Sequence, residues 1–321
     1  WTPHKRKRRN NERAAMLTCD DYLTPGSLDE AFAMMASNRG RHRIVAGATD
    51  TLPWAREGRA GDVHIPALID VAKIPDLREI SVGDRRVRLG AATPIQRFLD
   101  DRSLARALPA MPRCAVWFAD DQIRAQATIG GNIVNASPAA DATPCLIAHK
   151  AEVELARYAG GEVARRRMKL DQFVMGPNRT ALADGELLVA IECDALPEFG
   201  GSFEKVGHRR SLVISLVCLA TLLKLDKQGR RIEDVRLAIA GIGPKPIRLE
   251  QVETFLRAGP LSTGRLEEAA DMPVSLVASR TRQDYRREVV RGFMLRGLIS
   301  AARRAGADSA VLASELEAAY A

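Results

Sequence analysis

Two short segments of this sequence combine glycine with polar and acidic side chains in a pattern suited to a phosphate and sugar site. In residues 128–141 (TIGGNIVNASPAAD), Gly130 and Gly131 are followed by Asn132 and, at the end, by Asp141. Adjacent glycines lack the Cβ atoms that would block a ligand, so successive backbone N–H groups can converge on an anion. The Asn132 amide adds neutral hydrogen-bonding groups, and the Asp141 carboxylate can accept hydrogen bonds from hydroxyls. The segment therefore predicts backbone binding of a phosphate beside a sugar.

A second segment repeats this chemistry about eighty residues earlier in the chain. Residues 45–50 (VAGATD) begin with the second residue of an apolar pair, Ile44 and Val45. Either segment alone is typical of an ordinary tight turn, but the two together indicate one long, phosphate-bearing ligand. The chain has no G-x-G-x-x-G after a strand and no G-x-x-x-x-G-K-[ST], so a Rossmann or P-loop site has no support. A dinucleotide would have to be held by another fold.

Alternating short helices and strands must position these segments. Residues 27–37 predict a helix that is capped by Ser27, with Glu30 three residues on, and residues 44–46 predict a buried strand that enters the earlier segment. The order of elements favours an α+β architecture rather than regular βαβ repetition. The other predicted strands are 68–71, 77–82 and 86–90 (a hairpin at residues 83–84), 151–158 and 162–168 (a hairpin around Gly160 and Gly161), 187–193, 202–206, 212–225 and 231–242; the other predicted helices are 94–99, 107–118, 144–149, 249–258, 264–270 and 280–305.

The composition is that of a soluble globular protein. The 321 residues are 46% hydrophobic and 27% charged, enough for two or three packed units. No apolar run approaches the roughly 20 residues needed to span a bilayer. The longest, residues 212–225, contains Lys224 near its end and is better explained as a buried strand.

The positive charge is concentrated at one end of the chain. Residues 1–16 carry six basic side chains and one acidic one, a net charge of +5 out of the chain's +8. Such a tail can bind polyanions, but a solvated, disordered extension is the interpretation favoured here. No apolar segment follows the tail, so an export signal is not expected.

The five cysteines indicate reduced thiols. They lie at least 25 residues apart and form no C-x-x-C pair. An odd, scattered set is typical of a cytoplasmic protein and argues against an iron–sulfur cluster in this chain. The histidines show no ligand spacing and no nucleophile–base pair is evident, so neither a metal site nor a catalytic residue is predicted. The cysteines are Cys19, Cys114, Cys145, Cys193 and Cys218.

The order and spacing of three motifs resemble a known family. Residues 44–50 (IVAGATD), followed by residues 127–133 (ATIGGNI) and 137–144 (SPAADATP), are similar to the FAD-binding medium subunit of the xanthine dehydrogenase and carbon monoxide dehydrogenase family of molybdenum hydroxylases. The resemblance extends from about residue 21 to about residue 305. Supporting matches are residues 66–71 (PALIDV), 89–93 (LGAAT), 203–210 (FEKVGHRR) and 285–287 (YRR).

One position departs from the family pattern. The first motif usually has two glycines, and here Gly47 is followed by Ala48. An alanine is tolerated where φ is negative, whereas a positive φ costs on the order of 1 kcal/mol. Tighter geometry is therefore expected at Ala48.

The resemblance implies a fold and a domain division. The expected fold is α+β, a two-subdomain FAD-binding fold of the vanillyl-alcohol-oxidase (PCMH) type, followed by a C-terminal three-stranded sheet with helices. Residues 1–16 would be the basic disordered tail and residues 17–195 the FAD-binding domain, with its subdomain boundary near residue 72. Residues 196–321 would form the C-terminal α+β domain.

The resemblance also implies roles for individual residues toward FAD. Backbone N–H groups of residues 46–50 and 128–132 would wrap the pyrophosphate, and Asp141 would bond ribityl or ribose hydroxyls unless it is only a helix N-terminal charge. Leu188 would lie at the flavin ring, unless it is a buried strand leucine. Lys205 would place positive charge near the reduced, anionic flavin, unless it is a surface lysine in an ion pair. The implied cofactor-binding residues are Ile44, Val45, Ala46, Gly47, Ala48, Thr49, Asp50, Thr51, Thr128, Ile129, Gly130, Gly131, Asn132, Asp141, Leu188 and Lys205.

The implied function is electron transfer within a larger enzyme. This chain would accept electrons from [2Fe-2S] clusters of a small partner subunit and pass them to NAD⁺, oxygen or another acceptor, while a large molybdenum-pterin subunit hydroxylates the substrate. The assembly would be a heterotrimer or a dimer of heterotrimers, with no nucleic acid or membrane as partner. Two alternatives remain open at this point: a self-contained flavin oxidoreductase of the same fold, and a polyanion-binding protein that acts through its basic tail.

Overall fold

The structure is a computed structural model that describes residues 16–209, 213–278 and 281–307. Four predicted features lie wholly or partly outside the described residues. They are the basic tail except for its last residue, Arg210 of the 203–210 motif, the start of the predicted strand 212–225, and the start of the predicted helix 280–305.

The strands form three sheets and one ribbon. An N-terminal parallel sheet has the order β1-β3-β2, a central antiparallel sheet has the order β4-β5-β10-β6-β7, and a C-terminal antiparallel sheet has the order β11-β12-β13-β14, while β8 pairs with β9. The strands are β1 Asp21–Leu23, β2 His42–Val45, β3 Ala67–Asp70, β4 Ile80–Val82, β5 Arg86–Gly90, β6 Glu152–Ala159, β7 Glu162–Lys169, β8 Val174–Gly176, β9 Arg179–Thr180, β10 Leu187–Asp194, β11 Gly200–Val206, β12 Val217–Leu225, β13 Ile232–Ala240 and β14 Ile247–Arg248.

Most of the helices are short and connect or cover these sheets. Two 3₁₀ turns, Pro75–Leu77 and Met272–Leu276, accompany them. The α-helices are α1 Leu28–Ser37, α2 Thr51–Arg56, α3 Arg97–Asp100, α4 Arg102–Ala107, α5 Met111–Trp117, α6 Asp121–Gln126, α7 Ile129–Val134, α8 Ala142–Ala148, α9 Leu170–Phe173, α10 Glu250–Arg257, α11 Thr263–Asp271 and α12 Gln283–Arg304.

The expected α+β fold is confirmed. A small parallel unit comes first, antiparallel sheets follow, and helices α10, α11 and α12 pack on one face of the C-terminal sheet. That sheet has the three long strands that were expected and a fourth of only two residues, β14. The cap of α1 is also confirmed, because the Ser27 hydroxyl accepts the Glu30 N–H at 3.2 Å.

Two local predictions are corrected. The helix predicted over 107–118 begins only at Met111, since Pro109 disfavours helical backbone at the residue before it. The Gly130–Gly131 segment was expected to be a turn between elements, and it is instead the first turn of α7, which Thr128 caps by accepting the Gly131 N–H at 3.1 Å. Tertiary contacts and capping override the low helix propensity of glycine there.

The largest apolar core joins the two halves of the chain. It contains Leu89 and Val153 of the central sheet and Ile133 of α7, together with Cys218 and Ala238 of the C-terminal sheet. The C-terminal sheet is therefore covered on both faces, by α10–α12 on one side and by the central core on the other.

Candidate functional site

The structure brings the two glycine-containing segments together. Asn135, just after α7, donates from its amide to the Asp50 carboxylate at 3.0 Å. Gly47 lies so close to the start of the second segment that a Cβ built there would be 2.0 Å from the Gln126 carbonyl oxygen. Gly47 is therefore required for the contact between the two segments. Because these residues are about eighty positions apart in sequence, their contact defines a site rather than two independent turns.

The first segment presents a run of free backbone donors. In the described part of the chain, no acceptor takes a hydrogen bond from the N–H groups of residues 47–51. Ala48 has φ 53°, in the left-handed region. The tighter geometry expected at this residue is therefore a positive φ. Alternation of right- and left-handed backbone turns successive N–H groups toward one point and produces an anion-binding concavity. Asp50, which follows, has right-handed φ and ψ of −102° and −43°.

The second segment contributes differently from the expectation. The N–H groups of Ile129 and Gly130 already donate to the carbonyls of Thr93 at 2.9 Å and Ala91 at 2.8 Å. Those of Gly131 and Asn132 donate to the hydroxyl of Thr128 at 3.1 Å and its carbonyl at 3.0 Å. These N–H groups are therefore already bonded within the protein, and their role in wrapping a pyrophosphate stays a prediction. Side chains and bare glycine surface remain available for a ligand.

The two glycines of this segment have different surroundings. A Cβ at Gly130 would be 2.6 Å from the Ala91 carbonyl oxygen, so this glycine is needed for packing. A Cβ at Gly131 would meet only the Thr128 hydroxyl, at 3.0 Å, and Gly131 is exposed. Gly131 therefore provides the open surface beside the first segment.

Two buried polar atoms, one in the second segment and one in a residue hydrogen-bonded to it, have no partner in the described chain. The Asn132 side-chain oxygen and the Thr93 hydroxyl are both enclosed, and neither has a hydrogen-bond partner among the described residues. Buried polar groups in proteins are nearly always paired, so these atoms mark where a polar ligand or ordered water completes the structure. A phosphate- and hydroxyl-rich dinucleotide fits this donor and acceptor set.

Asp141 and Lys205 form a buried ion pair. The Lys205 ammonium donates to the Asp141 carboxylate at 2.6 Å and to the Trp117 carbonyl at 3.1 Å, and the Ser215 hydroxyl donates to the other carboxylate oxygen at 2.5 Å. The Asp141 residue is 7% exposed and the Lys205 side chain 4%. Burial raises the pKa of Asp141, and the neighbouring ammonium and hydroxyl oppose that rise.

The alternative roles given above for Lys205 and Asp141 describe the structure only in part. Lys205 is in an ion pair, but it is buried and not on the surface. Asp141 stands at the N-terminus of α8, yet its side chain makes no capping hydrogen bond. Ser215 was missed by the sequence analysis, although it is the polar residue in an otherwise apolar stretch before β12.

Leu188 belongs to the buried central sheet. It lies on β10 where the register shifts between Leu188 and Ala190, and it packs in the central core. The buried-strand alternative thus describes its position, and a contact with a flavin ring stays a prediction.

The described ranges contain neither a candidate metal site nor a candidate membrane span. No group of three or more His, Cys, Asp or Glu side chains is placed to hold a metal ion. None of the helices there is long and apolar enough to cross a membrane. The five cysteines are free thiols.

The fold and the paired segments are those expected of a protein that binds a dinucleotide outside the Rossmann architecture. Residues 15–194 match the family described as FAD binding domain in molybdopterin dehydrogenase. Residues 202–301 match the CO dehydrogenase flavoprotein C-terminal domain.

Individual relatives agree with these matches. The chain is 31% identical over 264 residues to the putative xanthine dehydrogenase FAD-binding subunit XdhB of Escherichia coli (strain K12), which covers 81% of this chain and 87% of the relative. It is 27% identical over 293 residues to the 6-hydroxypseudooxynicotine dehydrogenase complex subunit alpha of Paenarthrobacter nicotinovorans, with 89% and 95% covered. A solved carbon monoxide dehydrogenase from Hydrogenophaga pseudoflava superposes with a TM-score of 0.81 at 26% identity, over 90% of this chain and 99% of that one.

The chain therefore belongs to the family of FAD-binding medium subunits of xanthine and carbon monoxide dehydrogenases, as the motifs indicated. It is an oxidoreductase flavoprotein subunit, and its fold is that of the family.

Proposed function

We propose that this chain is the electron-transfer subunit of a heteromeric molybdenum hydroxylase. It receives electrons from [2Fe-2S] clusters of a small partner subunit and passes them to NAD⁺, oxygen or another acceptor, while a large molybdopterin subunit hydroxylates the substrate. Relatives named as a medium chain and as a complex subunit support this assembly. The scattered free thiols favour a reducing, cytoplasmic compartment.

The observation that carries the proposal is the row of unbonded N–H groups at residues 47–51, set against the exposed Gly131 surface. FAD, when bound, supplies reversible one- and two-electron redox chemistry. The N–H row holds its phosphates, and the Asp141–Lys205 pair supplies a fixed carboxylate and ammonium. The residues proposed to bind FAD are Ile44, Val45, Ala46, Gly47, Ala48, Thr49, Asp50, Thr51, Thr128, Ile129, Gly130, Gly131, Asn132, Asp141, Leu188 and Lys205.

The domain division is part of the proposal. The FAD-binding domain would span residues 17–195, with a subdomain boundary near residue 72, and the C-terminal domain residues 196–321. The change from parallel to antiparallel sheet after β3, and the start of a separate sheet at β11, support these boundaries.

A self-contained flavin oxidoreductase is the alternative, and it would need a base at the flavin. The buried carboxylate of the proposed site, that of Asp141, already binds Lys205 and Ser215. It is held as a fixed charge rather than left free to take a proton from a substrate.

The cofactor test uses acid precipitation and a glycine replacement. Acid should release noncovalent FAD from the purified chain; release of FMN, or colour that stays in the pellet, would refute the dinucleotide site. Gly131→Val should abolish FAD binding at a modest cost in melting temperature, because its Cβ meets only the Thr128 hydroxyl, at 3.0 Å, and Gly131 is otherwise exposed. Gly264→Val is the matched control, since Gly264 also lies in the first turn of a helix with nothing within 4 Å of its Cβ position. Wild-type flavin occupancy in Gly131→Val would show that the segment is only structural.

The partnership test uses co-purification and turnover. The tagged chain, expressed with its neighbouring genes, should bring down a small cysteine-rich subunit and a large molybdenum-binding subunit in a stable complex. The isolated, FAD-loaded chain should turn over aromatic heterocycles and aldehydes poorly with an artificial acceptor. Rapid turnover by the chain alone would favour the self-contained oxidoreductase.

A further inference from the structure

The 285–287 motif has no part in the site described so far, yet its middle residue is buried. Arg286 lies on α12 and is 8% exposed. Its guanidinium donates to the carbonyls of Leu216, of Gly241 at 2.6 Å and of Thr281 at 3.0 Å. A buried guanidinium with several planar donors can hold separate carbonyl groups in one fixed arrangement. Two of these carbonyls lead to Asp141.

The first connection passes through Leu216. The preceding residue, Ser215, donates its hydroxyl to the Asp141 carboxylate at 2.5 Å. The Leu216 N–H donates to the Val206 carbonyl at 2.8 Å, next to Lys205. Fixing Leu216 therefore fixes the chain on both sides of the ion pair.

The second connection passes through Gly241. Its N–H donates to the Pro138 carbonyl at 3.0 Å, and Pro138 belongs to the same Ser-Pro-x-x-Asp motif as Asp141. Gly241 has φ 83°, and a Cβ there would be 2.2 Å from the Leu216 carbonyl oxygen. Only glycine lets the two carbonyls come close enough to share one guanidinium.

We propose that Arg286 is a positioning residue of the cofactor site, acting from the C-terminal domain through Ser215 and Pro138 on the Asp141–Lys205 pair. This inference rests on the proposed role of that pair toward FAD. It assigns a function to the 285–287 motif and makes α12 part of the support of the flavin site.

The test measures FAD binding and redox potential in the full chain. Apoprotein is titrated with FAD by fluorescence quenching at several pH values, and the flavin midpoint potential is measured in the loaded protein. Arg286→Gln and Ser215→Ala should each weaken FAD binding by roughly tenfold, the loss of about one hydrogen bond to a charged group, and shift the potential. Ser215→Thr, which keeps the hydroxyl, should restore binding. Arg287→Gln is the matched control, because the Arg287 side chain is 42% exposed and forms an ion pair with Asp284 of the same helix.

A double variant of Arg286 and Ser215 distinguishes a positioning role of Arg286 from general destabilisation of the fold. If Arg286 acts through Ser215, the double variant should lose less than the sum of the two single losses, since the two share one connection. Wild-type affinity and potential in Arg286→Gln, or in Ser215→Ala, would overturn the inference, as would strictly additive losses. Arg286→Lys, which keeps the charge but not the planar fork, serves the same test where Arg286→Gln does not fold. A wild-type chain that binds no FAD would instead refute the proposed function.

Discussion

Removal of the Lys205 ammonium should strongly destabilise the folded chain. In Lys205→Met, Asp141 stays buried and keeps the hydroxyl of Ser215 but loses its 2.6 Å charged partner. Breaking one side of a buried ion pair costs about 3–5 kcal/mol, because the remaining charge is desolvated and uncompensated. Urea unfolding of the apoprotein at pH 8, followed by circular dichroism, measures this loss as a change in the free energy of unfolding.

The loss should depend on pH in a defined direction. Burial raises the pKa of Asp141 above its ordinary value, and Lys205 opposes that rise, so the pKa of Asp141 should be still higher in Lys205→Met. A carboxyl with a raised folded-state pKa binds its proton more tightly when folded than when unfolded. Its cost to stability is therefore present above that pKa and disappears as the pH falls toward the unfolded value. The destabilisation should be largest at pH 8 and shrink on acidification.

Two further variants define the result. Lys205→Met combined with Asp141→Asn should recover much of the lost stability at pH 8, because no charge is left buried. Lys224→Met is the matched control on a neighbouring strand: its ammonium pairs with Glu198 and Glu233 at a more exposed site and should be worth less than about 1 kcal/mol. A loss below about 1 kcal/mol in Lys205→Met, without pH dependence, would refute the reasoning.

Three smaller predictions follow from local geometry. Ala48→Gly should raise the unfolding free energy by about 0.5–1 kcal/mol, because relief of the positive φ exceeds the added freedom of the unfolded chain; an unchanged or lower value in urea contradicts this. Gly47→Ala should lower the melting temperature and the FAD occupancy together, since its Cβ collides with the Gln126 carbonyl; normal stability would show that the two segments can separate. Burial lowers the pKa of His149 to about 4, so the neutral imidazole contributes to the free energy of unfolding above pH 6.5, and this contribution is lost as the pH falls through about 4. In His149→Gln the loss of stability between these pH values should be smaller by roughly 3 kcal/mol. An unchanged pH profile of stability would contradict this prediction.

Features governed by neighbouring residues could be predicted from the sequence. The hairpin around Gly160 and Gly161 forms as expected, and both glycines have positive φ, of 65° and 91°. The Ser27 cap depends on Glu30, only three residues away. The chemistry shared by residues 44–50 and 128–141 was also sufficient to predict that these two separate segments meet.

Features governed by distant contacts could not be predicted in this way. The N–H groups of Ile129 and Gly130 are already hydrogen-bonded because Thr93 and Ala91, which follow strand β5, present carbonyls to them. The role of Ser215 depends on a partner 74 positions away. No local pattern in the sequence contains this information.

The apolar core shared across the proposed domain boundary has a consequence for biosynthesis. Leu89 and Ile133 emerge from the ribosome early, whereas the residues that cover them, including Cys218 and Ala238, belong to strands made much later. We therefore expect a nascent chain that ends at residue 195 to expose an apolar face that strands of the C-terminal sheet, including β12 and β13, cover later. Lys205 and Ser215, which fix Asp141, are also synthesised after that point. The proposed flavin site is therefore completed only after translation has passed the C-terminal sheet, and we expect the finished chain, not the nascent one, to load the cofactor.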